Sequence, residues 1–183
     1  MKIFFLVNWE NLGMDGLHMR RLFVLDSKDY DDTHSVTVKN TVRAIICRDG
    51  RYAMQQNRDG IYKIPGGGVE NNESLLDTLC RETLEETGLV VIRDSVREIG
   101  DVLELRRDLF EEDNKYECRT FFYFCDVEEG QQHTHMTLSE IEKGFHPVFA
   151  KLDDIIENNR RLGKDVTCER DTRFLEMLRD GRI

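Results

Sequence analysis

Runs of apolar residues along this chain are short and alternate between two periods. Thr41 to Cys47 is rich in β-branched residues and reads as a buried strand. Arg48-Asp49-Gly50 is a hairpin turn signal, and Tyr52 to Gln56 answers as the partner strand. Asp59-Gly60 marks another turn, after which Tyr62 to Pro65 runs into Gly66-Gly67-Gly68. The period then lengthens. Leu76, Leu79, Cys80 and Thr83 fall on one helical arc, Ser74 with Asp77 fits an N-terminal cap, and Gly88 suits a left-handed C-terminal cap. Val90 to Val96, Asp101 to Arg106 and Thr120 to Val127 read as strands, with an acidic loop over Asp108 to Lys115. Val148 to Ala150 is a short strand. Leu152, Ile155 and Ile156 predict a helix ending near Gly163, and Phe174, Leu175 and Leu178 a last one. Ahead of all this, Ile3 to Val7 and Leu22 to Leu25 look like strands around a turn at Gly13 and Gly16, and Asp26 to His34 is loop-like. Residues 1–40 are therefore expected to form an N-terminal extension of extra strands or a dimer element, with the main domain over 41–183. Strands interleaved with helices predict an α/β fold.

Length adds that 183 residues make one domain with a core large enough to fold alone. No apolar run can span a bilayer. The N-terminus lacks the length and the small-residue cleavage site of a signal peptide, so a cytoplasmic location is the expectation. The five cysteines, Cys47, Cys80, Cys118, Cys125 and Cys168, form no Cys-x-x-Cys pair and read as reduced thiols. A net charge of −10, with no basic run longer than Arg-Arg, argues against long nucleic acid as a partner. A phosphorylated small molecule would have to be met by local cations.

The helix over the late seventies and eighties carries the chemistry. Glu82, Glu85 and Glu86 are three, four and one residues apart, which puts them on one narrow face. Like charges so spaced repel by roughly 0.2–0.5 kcal/mol per pair. That face lies beside the apolar arc rather than opposite it, as a helix lining a cleft requires. Clustered hard oxygens on a rigid helix suit Mg²⁺ or Mn²⁺. The bland alternative is a solvated acidic stripe.

The wider pattern is Gly67, five residues, Glu73, seven residues, Arg81-Glu82, then Thr83-Leu84-Glu85-Glu86-Thr87-Gly88-Leu89. It resembles the signature of the Nudix hydrolase family (MutT-like). Only Thr83 departs from it, standing at an apolar position. The resemblance implies a mixed β-sheet sandwiched between helices, an αβα arrangement. It implies Glu82, Glu85 and Glu86 as metal ligands, the Gly66 carbonyl as a further one, Glu82 as ligand or general base, and a Glu73–Arg81 ion pair bracing loop and helix. Gly67 and Gly88 belong to the structural part of the motif. Such proteins often place another acidic ligand or base outside it. Glu140 is the first choice here and Glu142 the second, with Glu111 and Glu112 weaker. Arg58, Lys63, Arg106 and Arg107 are candidates for phosphate contacts. His133-Thr134-His135 reads as a solvated loop.

The implied activity is divalent-metal-dependent hydrolysis of a diphosphate linkage in a nucleoside diphosphate derivative. A nucleotide sugar such as ADP-ribose and a nucleoside triphosphate are the leading substrates, with water attacking phosphorus. Neither the proline that follows the motif in ADP-ribose-cleaving members nor the motif that precedes it in coenzyme A-cleaving ones is present. A nucleotide sensor of the same fold, without turnover, is the alternative. It would tend to lose the carboxylates, which this chain keeps. A homodimer is a further expectation, since dimers are frequent in the family.

Overall fold

The computed structural model describes residues 19–31, 35–70, 72–111 and 114–183. The expected strand at Ile3 to Val7 and its turn lie outside them, as does Glu112. In chain order the elements are β1 (Arg21–Asp26), β2 (Val36–Ile45), β3 (Cys47–Arg48), β4 (Arg51–Gln56), β5 (Tyr62–Lys63), α1 (Leu75–Thr87), β6 (Arg97–Arg107), β7 (Lys115–Phe124), α2 (Leu138–Glu142), β8 (His146–Ala150), α3 (Leu152–Leu162) and α4 (Val166–Arg179).

The main sheet has the order β1-β6-β7-β2. It is mixed, because β2 runs parallel to β7 and β1 parallel to β6, while β6 and β7 form an antiparallel pair. A second, antiparallel sheet is built on β4, which pairs with β3, β5 and β8. Residues alternate across β2 and β7 with the strand period. Val42, Ala44, Phe121 and Tyr123 pack under α1 through Leu75 and Leu79. Ile45 and Phe122 face the other way, towards Met54 and Ile64 of the second sheet and Ile155, Phe174 and Leu175 of α3 and α4. The Phe122 and Phe174 rings stack at 4.0 Å. The result is an α/β fold with helices on both faces of a mixed sheet.

Several boundaries move from those expected. β1 is an edge strand of the main sheet and β2 begins at Val36. A division at 40/41 would therefore cut a hydrogen-bonded strand. The stretch Val90 to Val96 is not a strand. Val91 makes one bridge to Val127, and Arg93–Ser95 turn as 3₁₀. The Ser95 hydroxyl donates to the Ile92 carbonyl at 2.6 Å and accepts from the Asp126 N–H at 2.8 Å, which competes with a ladder. On α1, Leu75, Thr78, Leu79 and Thr83 are buried, while Leu76 and Cys80 are only partly so. The arc is thus centred one residue earlier than expected. Among the described residues no helix is long and apolar enough to cross a membrane.

Candidate active site

The glycine run is laid against β2. The Ala44 N–H donates to the Pro65 carbonyl at 2.9 Å and the Val42 N–H to the Gly67 carbonyl at 3.0 Å. Residue 43 therefore stands opposite Gly66. A β-carbon on Gly66 would lie 2.1 Å from the Val42 carbonyl oxygen, and Gly66 also has a φ of +133°. At Gly67 a β-carbon would lie 2.3 Å from the Glu82 carboxylate. Both glycines are there because backbone and carboxylate come too close for any side chain.

α1 starts where the Ser74 hydroxyl accepts the Asp77 N–H at 3.0 Å, and it ends at Gly88 in the left-handed region. Its first turns are braced by Arg81. The guanidinium binds Glu73 in a fork, at 2.8 and 2.9 Å, and donates to the Gly68 carbonyl at 3.2 Å. It also reaches Glu82 at 2.7 Å and Glu85 at 3.2 Å. These hydrogen bonds from Arg81 hold the Glu73 carboxyl down at about 2. One arginine thus ties the loop end, the helix and two of the three clustered carboxylates together.

Glu86 is the deepest of that cluster, at 2% exposure. One carboxylate oxygen accepts the Lys63 ammonium at 2.6 Å and the other accepts the Gly66 N–H at 2.7 Å. Burial pushes this carboxyl up to about 7, against the pull of Lys63 and the Gly66 N–H. Lys63 extends at 3.5 Å to Glu140, so the motif helix and α2 meet across one ammonium. Glu140 is itself held by a capping box. Its second oxygen accepts the Thr137 N–H and hydroxyl, each at 2.9 Å. Burial opposes its charge, but those donors and Lys63 win, and the carboxyl lies below its ordinary value.

Lys63 and Glu140 line a cleft of about 720 Å³ that also takes in Arg58, Glu142, Phe145 and Asp171. Arg106 does not line it. That guanidinium is held by Glu104 at 2.8 Å and lies over the Tyr116 ring at 3.9 Å. Glu111 is exposed at the β6–β7 turn, where it pairs with Asn114. His133 and His135 are exposed, and their loop crosses the end of α1, where the His135 N–H donates to the Glu85 carbonyl at 2.7 Å.

Among the described residues no three Asp, Glu, His or Cys side chains converge as a ready-made metal cage. Arg81 and Lys63 pair with the clustered carboxylates instead. The donor set nonetheless fits a hard divalent cation: all oxygen, on one helix face, with Glu86 buried. The profile of the NUDIX domain matches residues 37–165, most of the chain. The chain belongs to the Nudix hydrolase family. That membership assigns it pyrophosphohydrolase chemistry. No curated protein matches the sequence. A NUDIX hydrolase from Nitrosomonas europaea shares the fold at a TM-score of 0.54 and 18% identity, over 74% of this chain and 88% of its own. The mMutator MutT protein from Bacillus halodurans aligns at a TM-score of 0.49 and 20% identity, over 75% and 80% respectively. An ADP-ribose pyrophosphatase from Streptococcus suis aligns at 0.42 and 21%, over 64% and 76%.

Two features of this Nudix site were not anticipated from sequence. The short helix α2 was not among the expected elements, although Thr137 and Glu140 have capping-box spacing. Arg43 of β2 and Arg170-Asp171 of α4 are buried charges, and of these Asp171 lines the cleft. A lone arginine in the apolar run Thr41 to Cys47 is the signal that could have marked the first of them.

Proposed function

We propose that the protein is a Mg²⁺- or Mn²⁺-dependent hydrolase of a diphosphate linkage in a nucleoside diphosphate derivative, either a nucleotide sugar or a nucleoside triphosphate. The observation that carries this reading is the buried Glu86, fixed by Gly66 and Lys63, on the same helix face as Glu82 and Glu85 and facing Glu140. When bound, the cation supplies Lewis acidity and positive charge at the phosphoryl oxygens. Glu82, Glu85 and Glu86 hold it, with the Gly66 carbonyl as a further oxygen. Glu82 accepts the proton of the attacking water, since its carboxylate lies close over Gly67 and, among the described residues, is paired only with Arg81. Glu140 is the second group able to do so. Lys63 and Arg58 meet phosphate charge from the cleft side.

Glu82→Gln tests the role assigned to that carboxylate. With Mg²⁺ and a panel of nucleotide sugars and triphosphates, kcat should fall on the order of 10²–10⁴-fold while the fold survives. Near-normal turnover beside an active wild type would remove Glu82 from the mechanism. Metal-dependent nucleotide binding by the wild type with no turnover on any substrate would favour a sensor.

A further inference from the structure

The ammonium of Lys63 joins two carboxylates from different elements, and the fold fixes each of these through its other oxygen. Tyr62 and Ile64 belong to the core shared with α3 and α4, so Lys63 between them leaves the strand on the opposite face. It meets Glu86 of α1 at 2.6 Å and Glu140 of α2 at 3.5 Å, in both cases at Oε1. Oε2 of Glu86 accepts the Gly66 N–H at 2.7 Å. Oε2 of Glu140 accepts the Thr137 N–H and hydroxyl, each at 2.9 Å. Loop and cap donors thus hold both carboxyl groups independently of the lysine and leave one oxygen of each aimed at the same point. Fixed, hard, anionic oxygens that converge in this way make a cation position, and Nζ fills it.

The occupant has somewhere to go. Lys63 hangs on a flexible four-carbon stem. Its side chain is 23% exposed, against 3% for that of Glu86. It lines the cleft together with Glu140 and Phe145. The Phe145 ring centre lies 6.0 Å from Nζ and offers the ammonium a second resting place on the cleft side. A divalent cation carries twice the charge of the ammonium and gains more from the same two oxygens. The oxygens cannot serve both at once, and the ammonium cannot meet a phosphate while it is tied to Glu86.

We propose that Lys63 is a tethered counter-ion in the divalent-cation position between Glu86 and Glu140, and that metal binding expels its ammonium into the cleft, where it meets a phosphate of the substrate. This rests on the metal-dependent hydrolase reading for the identity of the incoming cation and of the phosphate. Lys63 then has two partners in turn, carboxylate before the metal and phosphate after it.

Mn²⁺ is the probe, titrated calorimetrically into protein stripped with EDTA and dialysed. Lys63→Met removes the competing ammonium and leaves the carboxyl groups to Gly66 and Thr137. It should bind Mn²⁺ about 10- to 100-fold more tightly than wild type, because a hydrogen bond between charged groups no longer has to break first. Lys63→Arg, which keeps a cation in place, should bind no more tightly than wild type. Arg58→Met, which removes a positive charge elsewhere in the same cleft, should change the affinity far less. In steady-state assays at saturating Mg²⁺, Lys63→Met should act in the opposite sense and raise KM for the hydrolysed substrate by about 10-fold. Equal Mn²⁺ affinity in wild type and Lys63→Met would overturn the proposal. So would an equal gain from Arg58→Met, since general charge repulsion would then explain it. An unchanged KM in Lys63→Met would refute the release into the cleft. If Lys63→Met does not fold, Lys63→Gln is read by the same criteria. Wild type and variant both ignoring Mn²⁺ would sink the metal reading and this proposal with it. Tighter Mn²⁺ binding by Lys63→Met in a protein with no turnover would sink the hydrolase reading alone.

Discussion

Glu86→Gln removes one buried charge and almost no volume, and its effect on stability can be worked out from the site. In the folded protein this carboxyl is pushed from 4.5 up to about 7, chiefly by burial. The fold therefore holds its proton more tightly than the unfolded chain does. Below pH 4.5 both states are protonated and the residue adds no penalty. As pH rises from 4.5 to 7 the unfolded chain releases the proton first, and wild-type stability falls; above 7 it levels off. At about 1.36 kcal/mol per pKa unit the full loss is ~3 kcal/mol, of which about 2.5 kcal/mol develops between pH 5 and pH 8. The variant has no such group. Its amide oxygen still accepts the Gly66 N–H, and Lys63, 23% exposed, can turn to Glu140 or water. Whatever offset this repacking adds is independent of pH and cancels in the comparison. Urea denaturation in EDTA at pH 5 and pH 8 measures the difference. The variant should gain about 2.5 kcal/mol on wild type across that interval. A difference that stays flat from pH 5 to pH 8 would refute the claim that burial disfavours the charge on this carboxylate.

Gly67→Ala places a methyl where the Glu82 carboxylate now sits, 2.3 Å away, and should displace it, lowering kcat on the order of 10²-fold with little change in melting temperature; full activity would show that the position of Glu82 is not critical. Glu73→Gln breaks the Arg81 fork, whose members are each about a quarter exposed, so after solvent screening it should cost about 1 kcal/mol at pH 7. The wild-type Glu73 carboxyl is held at about 2, so this advantage is present above pH 4.5 and fades as pH falls towards 2. Chemical denaturation at pH 7 and pH 3 checks it, and an equal difference at both would contradict the ion-pair origin. Mn²⁺ at a hundredfold excess over Kd should stabilise the wild type by about 2.7 kcal/mol, and Glu85→Gln with Glu86→Gln should abolish the shift. A wild-type melting curve indifferent to millimolar Mn²⁺ and Mg²⁺ would mean the acidic face is merely solvated.

What the sequence made legible was local. The Ser74 and Gly88 caps and the hairpin at Asp49-Gly50 each follow from a few neighbouring residues, and each stands where it was expected. Glu140 could be named because an acidic group was sought outside the motif, and α2 brings it to Lys63. The misplaced strand at Val90 to Val96 failed because the Ser95 hydroxyl, not apolar content, decides that backbone. The Arg43–Asp171–Arg170 cluster was out of reach for a different reason. Arg43 is far in sequence from the adjacent Arg170 and Asp171, and it meets them only when α4 folds back over the sheet. Arg106 was a candidate for phosphate contact from its charge alone, and the structure pairs it with Glu104 and lays it over Tyr116.

The central claim is that carboxylates on α1 direct water to phosphorus. Hydrolysis of ADP-ribose and nucleoside triphosphates in ¹⁸O-labelled water with Mg²⁺, with products resolved by mass spectrometry, tests it most directly. The account predicts label in a phosphate product, with AMP and ribose 5-phosphate from ADP-ribose or a monophosphate and pyrophosphate from a triphosphate. Label on a sugar carbon, or release of free base, would contradict it.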